Sequence, residues 1–246
     1  MIVAETRDLL IAFGGVHAVD GVGLQVRAGE RRAIIGPNGA GKTTLFNALS
    51  GAVSASSGQI FLLGKDVTRV PAHARAQLGL ARTFQITNVF RGLSVRENIL
   101  LAVQAGTRGR YSLFRPMRRF RQAHAATEEL LERWSLGEHA ETSAEQLSYG
   151  DQRKLEIVLA VARAPRLLLL DEPAAGLANE ETASIVSFIR ELPAEVTVIF
   201  IEHDLDMAFA VADRITVLHQ GRVIAEGTPD EIRRDPKVTE IYLGKT

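Results

Sequence analysis

Residues Gly36-Pro37-Asn38-Gly39-Ala40-Gly41-Lys42-Thr43 fit the pattern G-x-x-x-x-G-K-[ST]. A short apolar run, Arg32–Ile35, precedes them, and Lys42–Ser50 follows with helical spacing, Leu45, Ala48 and Leu49 falling on one side. Strand, glycine-rich loop and helix in that order form a cradle for phosphate. Glycines let the backbone bend without a Cβ in the way. Consecutive N–H groups then point inward as an anion nest, and the helix adds its positive end. Gly36, Asn38, Gly39, Ala40, Gly41, Lys42, Thr43 and Thr44 are therefore the expected nucleotide-binding residues. Lys42 is expected at the β- and γ-phosphates of ATP and the Thr43 hydroxyl on Mg²⁺.

The rest of the chain alternates short apolar runs with helices. Gly21–Val26 alternates in polarity and ends at the turn Ala28-Gly29-Glu30, Gln59–Leu63 reads as a strand, and Pro71 to Leu78 reads as a short helix opened by proline. Gly51 stops the helix after the phosphate loop. From Ser94 to Ala162 the periodicity is helical, clearest at Glu128–Trp134 and Gln152–Ala164. Buried-type strands return at Leu167–Leu170, Val196–Ile201 and Ile215–Leu218. The expectation is one domain over 1–246: an α/β core, 1–85 and 163–246, with a helical subdomain at about 86–162.

Composition excludes several classes. With 46% apolar and 24% charged residues the 246-residue chain is not of a disordered type. It has 29 basic and 29 acidic residues, so its overall charge gives no drive toward nucleic acid. It has no cysteine, so neither disulfides nor a thiolate metal site can hold it. The start, MIVAETRDLL, does not read as a signal peptide. The longest apolar runs fall far short of the about 20 residues that span a bilayer, so a membrane role is expected only through a partner.

A second chemical cluster stands at Leu167-Leu168-Leu169-Leu170-Asp171-Glu172-Pro173. The leucines bury a strand and the two acids emerge at its carboxyl end, where ligands bind in open α/β sheets. Asp171 is expected to hold Mg²⁺ through water, and Glu172 to polarise the attacking water as general base.

With these two clusters in place, the chain resembles the nucleotide-binding subunits of ABC transporters over nearly its whole length. Four more positions carry the resemblance in the right order. Phe13 matches the aromatic that stacks on adenine. Gln85, in Arg82-Thr83-Phe84-Gln85, matches the glutamine that binds Mg²⁺ and links the lytic water to the helical insertion. Leu147-Ser148-Tyr149-Gly150-Asp151-Gln152 matches the signature motif. His203, in Ile201-Glu202-His203-Asp204, matches the switch histidine at the γ-phosphate. Singly, Phe13 reads as a core aromatic and His203 as a strand-end histidine bonded to backbone; the joint order favours the family.

The resemblance implies a P-loop NTPase (RecA-like) core with an antiparallel β edge and an inserted α-helical subdomain. It implies an ATPase using ATP and Mg²⁺, with Glu172, His203 and Gln85 catalytic. Ser148, Tyr149, Gly150 and Asp151 would act on the ATP of a second ATPase subunit, a related chain or another copy. It also implies transmembrane permease subunits, a periplasmic substrate-binding protein acting indirectly, no nucleic acid, and a peripheral place on the cytoplasmic face of the inner or plasma membrane.

Departures from the family pattern narrow the branch. Tyr149 stands for the usual first glycine of the signature, Asp151 for its glutamine, and Ala178 for the usual Asp or Asn after the acids, with Asn179 one residue late. Asp151, an acid close to a triphosphate, is expected to point away from it. The signature, Ala174-Ala175-Gly176-Leu177, the ending Glu226-Gly227-Thr228-Pro229 … Ile241-Tyr242-Leu243-Gly244 and the long segment Gln104–Ala126 resemble the branch that energises uptake of branched-chain amino acids. Other cargoes (urea, amides, exported lipid) and a soluble non-transport ATPase are the alternatives. The segment 108–121 holds six arginines (108, 110, 115, 118, 119 and 121) and no acid. It reads as a solvated stretch, or as a contact with lipid headgroups or the membrane subunit.

Overall fold

The structure, a computed structural model, describes residues 1–83, 89–106 and 117–243. Its strands are β1 (Ile2–Phe13), β2 (Val16–Arg27), β3 (Arg31–Ile35), β4 (Ser57–Leu62), β5 (Lys65–Asp66), β6 (Leu80–Arg82), β7 (Leu167–Asp171), β8 (Thr197–Ile201), β9 (Arg214–His219) and β10 (Arg222–Gly227). Its helices are α1 (Lys42–Ser50), α2 (Ala72–Gln77), α3 (Val95–Gly106), α4 (Met117–Arg133), α5 (Tyr149–Val161), α6 (Asn179–Arg190), α7 (Leu205–Val211), α8 (Pro229–Arg234) and α9 (Pro236–Leu243).

Two sheets form. One is antiparallel, in the order β2-β1-β4-β5. The other runs β10-β9-β3-β8-β7-β6 and is parallel except for its antiparallel edge strand β10. The two faces of the parallel sheet bury different cores. Ala33, Ile35, Leu168, Leu170, Val198 and Phe200 join the helices α3 to α7. Ile34, Leu167, Leu169, Ile199 and Ile201 join α1 and the antiparallel sheet. Because successive strand residues face opposite ways, a strand buried on both sides reads as an unbroken apolar run. That is why β7 and β8 are visible in the sequence.

Other elements follow local rules. α1 begins and ends where expected: Gly41 before it and Gly51 after it both lie in the left-handed region, at φ 99° and 79°. β1 is not legible from alternation, because it is bulged. Asp8 takes φ 45° and the register with β2 shifts four times. The helical segment packs directly on the core: Val95, Ile99, Trp134 and Leu155 belong to the same buried cluster as Phe200, and the rings of Trp134 and Phe188 lie 4.2 Å apart. Among the described residues no helix is long and apolar enough to cross a membrane.

Candidate functional site

The phosphate loop leaves β3 between two strands that lead away on opposite sides, β9 and β8, the switch point at which open α/β sheets bind ligands. Its glycines are required by contact as well as by dihedral. A Cβ at Gly36 would stand 2.1 Å from the Leu218 carbonyl oxygen, and one at Gly41, at φ 99°, 2.2 Å from that of Ala18. A Cβ at Gly39 would meet nothing within 4 Å, so the loop's outer side is open. No hydrogen bond accounts for the N–H groups of Asn38, Gly39 or Gly41 among the described residues. Open, unpaired N–H groups at the start of α1 fit an anion.

Lys42 is folded onto its own loop, donating to the carbonyls of Gly36 at 2.6 Å and Pro37 at 3.0 Å. Burial holds its ammonium below the usual lysine range, while the Glu172 carboxylate acts the other way. Ala40 is buried, Thr44 is half-buried, and Thr43 is exposed at the first turn of α1. Phe13 is 55% exposed at the tip of the β1–β2 hairpin. It is not a core aromatic, and the β2 arm of the hairpin reaches the loop at Ala18.

β7 delivers the two acids in different states. Asp171 is buried, and its Oδ2 accepts from Arg82 Nη2 at 2.9 Å. Arg82 Nη1 also donates to Asn47 Oδ1 and Ser50 Oγ on α1. Asp171 Oδ1 is buried with no hydrogen-bond partner. A buried carboxylate oxygen without a hydrogen-bond partner, at the carboxyl end of β7, fits a hydrated cation. Glu172 takes φ 48°, a left-handed conformation that costs roughly 1–3 kcal/mol outside glycine. Its N–H is fixed to Ile201 O at 3.1 Å, and its Oε1 lies 2.6 Å from His203 Nε2. The reading of His203 as a histidine bonded to backbone fails: its ring meets the carboxylate. Gln85 lies outside the described residues, as does most of the arginine-rich segment, whose end forms the start of α4.

The signature residues start α5. Ser148 caps the helix, accepting from Asp151 N–H at 3.1 Å. Its hydroxyl donates to Asp151 Oδ2 at 2.8 Å, and Lys154 pairs with the same carboxylate at 3.3 Å. Asp151 is held at the helix start, where a hydroxyl donor and the positive helix end both attract it. Gly150 N–H donates to Glu181 Oε1 at 3.2 Å, and Ala178 N–H to Glu181 Oε2 at 3.1 Å. Tyr149, 44% exposed, donates to Ala175 O at 3.3 Å. Glu181 and Tyr149 thus tie the signature to the segment that follows Glu172. Among the described residues, no hydrogen bond or ion pair joins Ser148, Tyr149, Gly150 or Asp151 to the phosphate loop.

Sequence reasoning missed Arg82, Glu181 and Tyr242 as site residues. Arg82 sat in a quoted motif without a role. Tyr242, on α9, accepts from Gly36 N–H, and burial pushes its phenol up to about 12. The sequence marked its segment only as a branch feature.

Loop, acid pair and sheet order together define a nucleotide-binding protein of the P-loop α/β class. A family model described as "ABC transporter" matches residues 19–175, and one described as "Branched-chain amino acid ATP-binding cassette transporter" matches residues 222–246. The chain is 40% identical to the high-affinity branched-chain amino acid transport ATP-binding protein BraF of Pseudomonas aeruginosa, over 99% of this chain and 98% of that one. It is 42% identical to the corresponding protein LivG of Salmonella typhimurium, over 97% and 96%. The solved ADP conformation of MJ1267, an ATP-binding cassette of an ABC transporter, superposes with a TM-score of 0.85 at 31% identity and full coverage of both chains. The chain belongs to the ABC transporter family as an ATP-binding, ATP-hydrolysing subunit.

Proposed function

We propose that this ATPase drives the uptake of branched-chain amino acids, with Glu172 and His203 as its hydrolytic pair. The 2.6 Å contact between His203 Nε2 and Glu172 Oε1 carries the mechanistic part. The likeness to BraF and LivG and the match over residues 222–246 support the cargo.

In this reading Phe13 stacks on adenine. The unpaired N–H groups of Asn38, Gly39 and Gly41 receive phosphate oxygens, and Lys42 exchanges its two carbonyl contacts for phosphate. Thr43, Gln85 and, through water, Asp171 hold Mg²⁺; the orphaned Asp171 Oδ1 supports this assignment. When bound, the ion neutralises charge on the phosphates. Glu172 takes a proton from the attacking water and His203 orients it. Ser148, Tyr149, Gly150 and Asp151 serve the nucleotide of a second cassette, a related chain or another copy. The working assembly adds transmembrane permease subunits, with a periplasmic binding protein acting through them, and sits peripherally on the cytoplasmic face of the membrane. The domain division is proposed as expected, with the segment 86–162 as the helical subdomain.

One substitution tests both parts. Purified E172Q retains ATP binding and loses hydrolysis by about 10²-fold or more, the span of general-base catalysis. Cells carrying E172Q as the sole copy, with no redundant system, lose uptake of labelled leucine at unchanged protein level. Undiminished hydrolysis removes Glu172 from its role; normal leucine uptake with dead hydrolysis removes the cargo.

A further inference from the structure

One buried acid beside the hydrolytic pair has no role in the reading above. β7 and β8 are neighbouring parallel strands with Asp171 opposite Ile201. The next residues, Glu172 and Glu202, therefore leave the sheet side by side. Glu172 turns toward His203. Glu202 turns inward and is 3% exposed. Its Oε1 accepts from Ala174 N–H at 3.0 Å, its Oε2 from His203 N–H at 3.1 Å, and the Asp204 N–H also donates to it.

Those donors belong to two loops. Ala174 lies two residues after Glu172, on the loop from β7. His203 and Asp204 lie on the loop from β8. One carboxylate thus binds the backbone on both sides of the Glu172–His203 contact. Space-filling alone does not explain an acid here, because burying a carboxylate is costly and an apolar side chain would avoid the cost. Burial, and to a smaller extent the charge of Glu172, pushes the Glu202 carboxyl up, and the three N–H donors act against that. The N–H groups would in turn lose their acceptors if the acid were removed.

We propose that Glu202 is a positioning residue of the hydrolytic site, fixing Glu172 against His203 by stapling the two loops that carry them. The staple also reaches further: Ala174 precedes Ala175, whose carbonyl accepts from Tyr149 of the signature. This inference rests on the assignment of Glu172 and His203 as the hydrolytic pair.

The test is E202Q, which keeps the volume but offers one acceptor oxygen to two loops. Steady-state hydrolysis and binding of a fluorescent ATP analogue are measured on the full-length chain, with E172Q in parallel. The expected result is a fall in kcat of about tenfold to a hundredfold, the cost of small misplacements in a reacting geometry, with KM and analogue affinity within about twofold. E202D, which keeps both oxygens on a shorter stem, is expected to fall between E202Q and the parent. Unchanged kcat in E202Q overturns the proposal. So does a loss of rate that matches the loss of analogue-binding chains, since a merely structural role predicts that. Failure of the underlying reading shows separately, as normal hydrolysis by E172Q.

Discussion

Two helix starts in this molecule, those of α1 and α5, are finished in opposite ways. α1 begins at Gly41, which supplies no side-chain cap, and the N–H groups of Asn38, Gly39 and Gly41 have no hydrogen-bond partner among the described residues. α5 begins at Ser148, and two of its donors, the Ser148 hydroxyl and the Gly150 N–H, are already taken by acids of the same chain, Asp151 and Glu181. Open N–H groups at a helix start favour capture of a free anion. Internally satisfied ones stabilise the isolated chain, by about 1 kcal/mol for a cap, and must be released before they serve anything else. In the proposed arrangement, then, α1 is the side that binds nucleotide first, and α5 is the side that answers later, across a pair.

The comparison can be broken most severely at the open end. G41A forces a Cβ to within 2.2 Å of Ala18 O at φ 99°. A strain of about 3 kcal/mol there corresponds to roughly a hundredfold loss in ATP affinity, measured by calorimetry. At the satisfied end the effect is smaller and opposite in sign. D151N removes a charge that competes with phosphate, so ATP-driven pairing in the E172Q background should tighten about two- to fivefold, equivalent to ~0.5–1 kcal/mol for an exposed charge. Sedimentation at graded ATP reads this out, and weaker pairing would mean that Asp151 assists closure.

A further effect, confined to alkaline pH, concerns the support behind the open loop. Burial raises the Tyr242 phenol from its ordinary value of 10.0 to about 12. A raised group contributes stability that is fully present below its unfolded value and is lost as pH rises through its folded value. Thermal stability should therefore decline between about pH 10 and pH 12 by more in the parent than in Y242F, with the phenolate absorbance appearing near the upper limit. Equal declines would mean that burial does not hold the Tyr242 phenol up.

The open end was also the legible one. Gly41 and Gly51 bracket α1 by local backbone chemistry, and β7 and β8 announce themselves as apolar runs, so the core order follows from neighbours in the chain. β1 was not legible, since its bulges at Asp8 and beyond scramble the alternation. The same divide separates the site residues. Asp171, Glu172 and Lys42 sit in local patterns that state their chemistry. Arg82 reaches Asp171 across 89 positions and Glu202 reaches Ala174 across 28. Glu181 meets Gly150 across 31. Partnerships of that span are made by strand order, which no local pattern encodes, so these residues read as ordinary charges until the sheet is assembled.

The two acids at α5 have a further consequence. Each is tethered to its donor, so each competes as if present at a high local concentration, of millimolar order for short connections. Free phosphate arriving from solution meets that competition unaided. A triphosphate held on the phosphate loop of a facing cassette does not, because it too is delivered at a fixed position. In the proposed pair the start of α5 would act as a coincidence detector, silent to dissolved anions and responsive to one that another cassette presents.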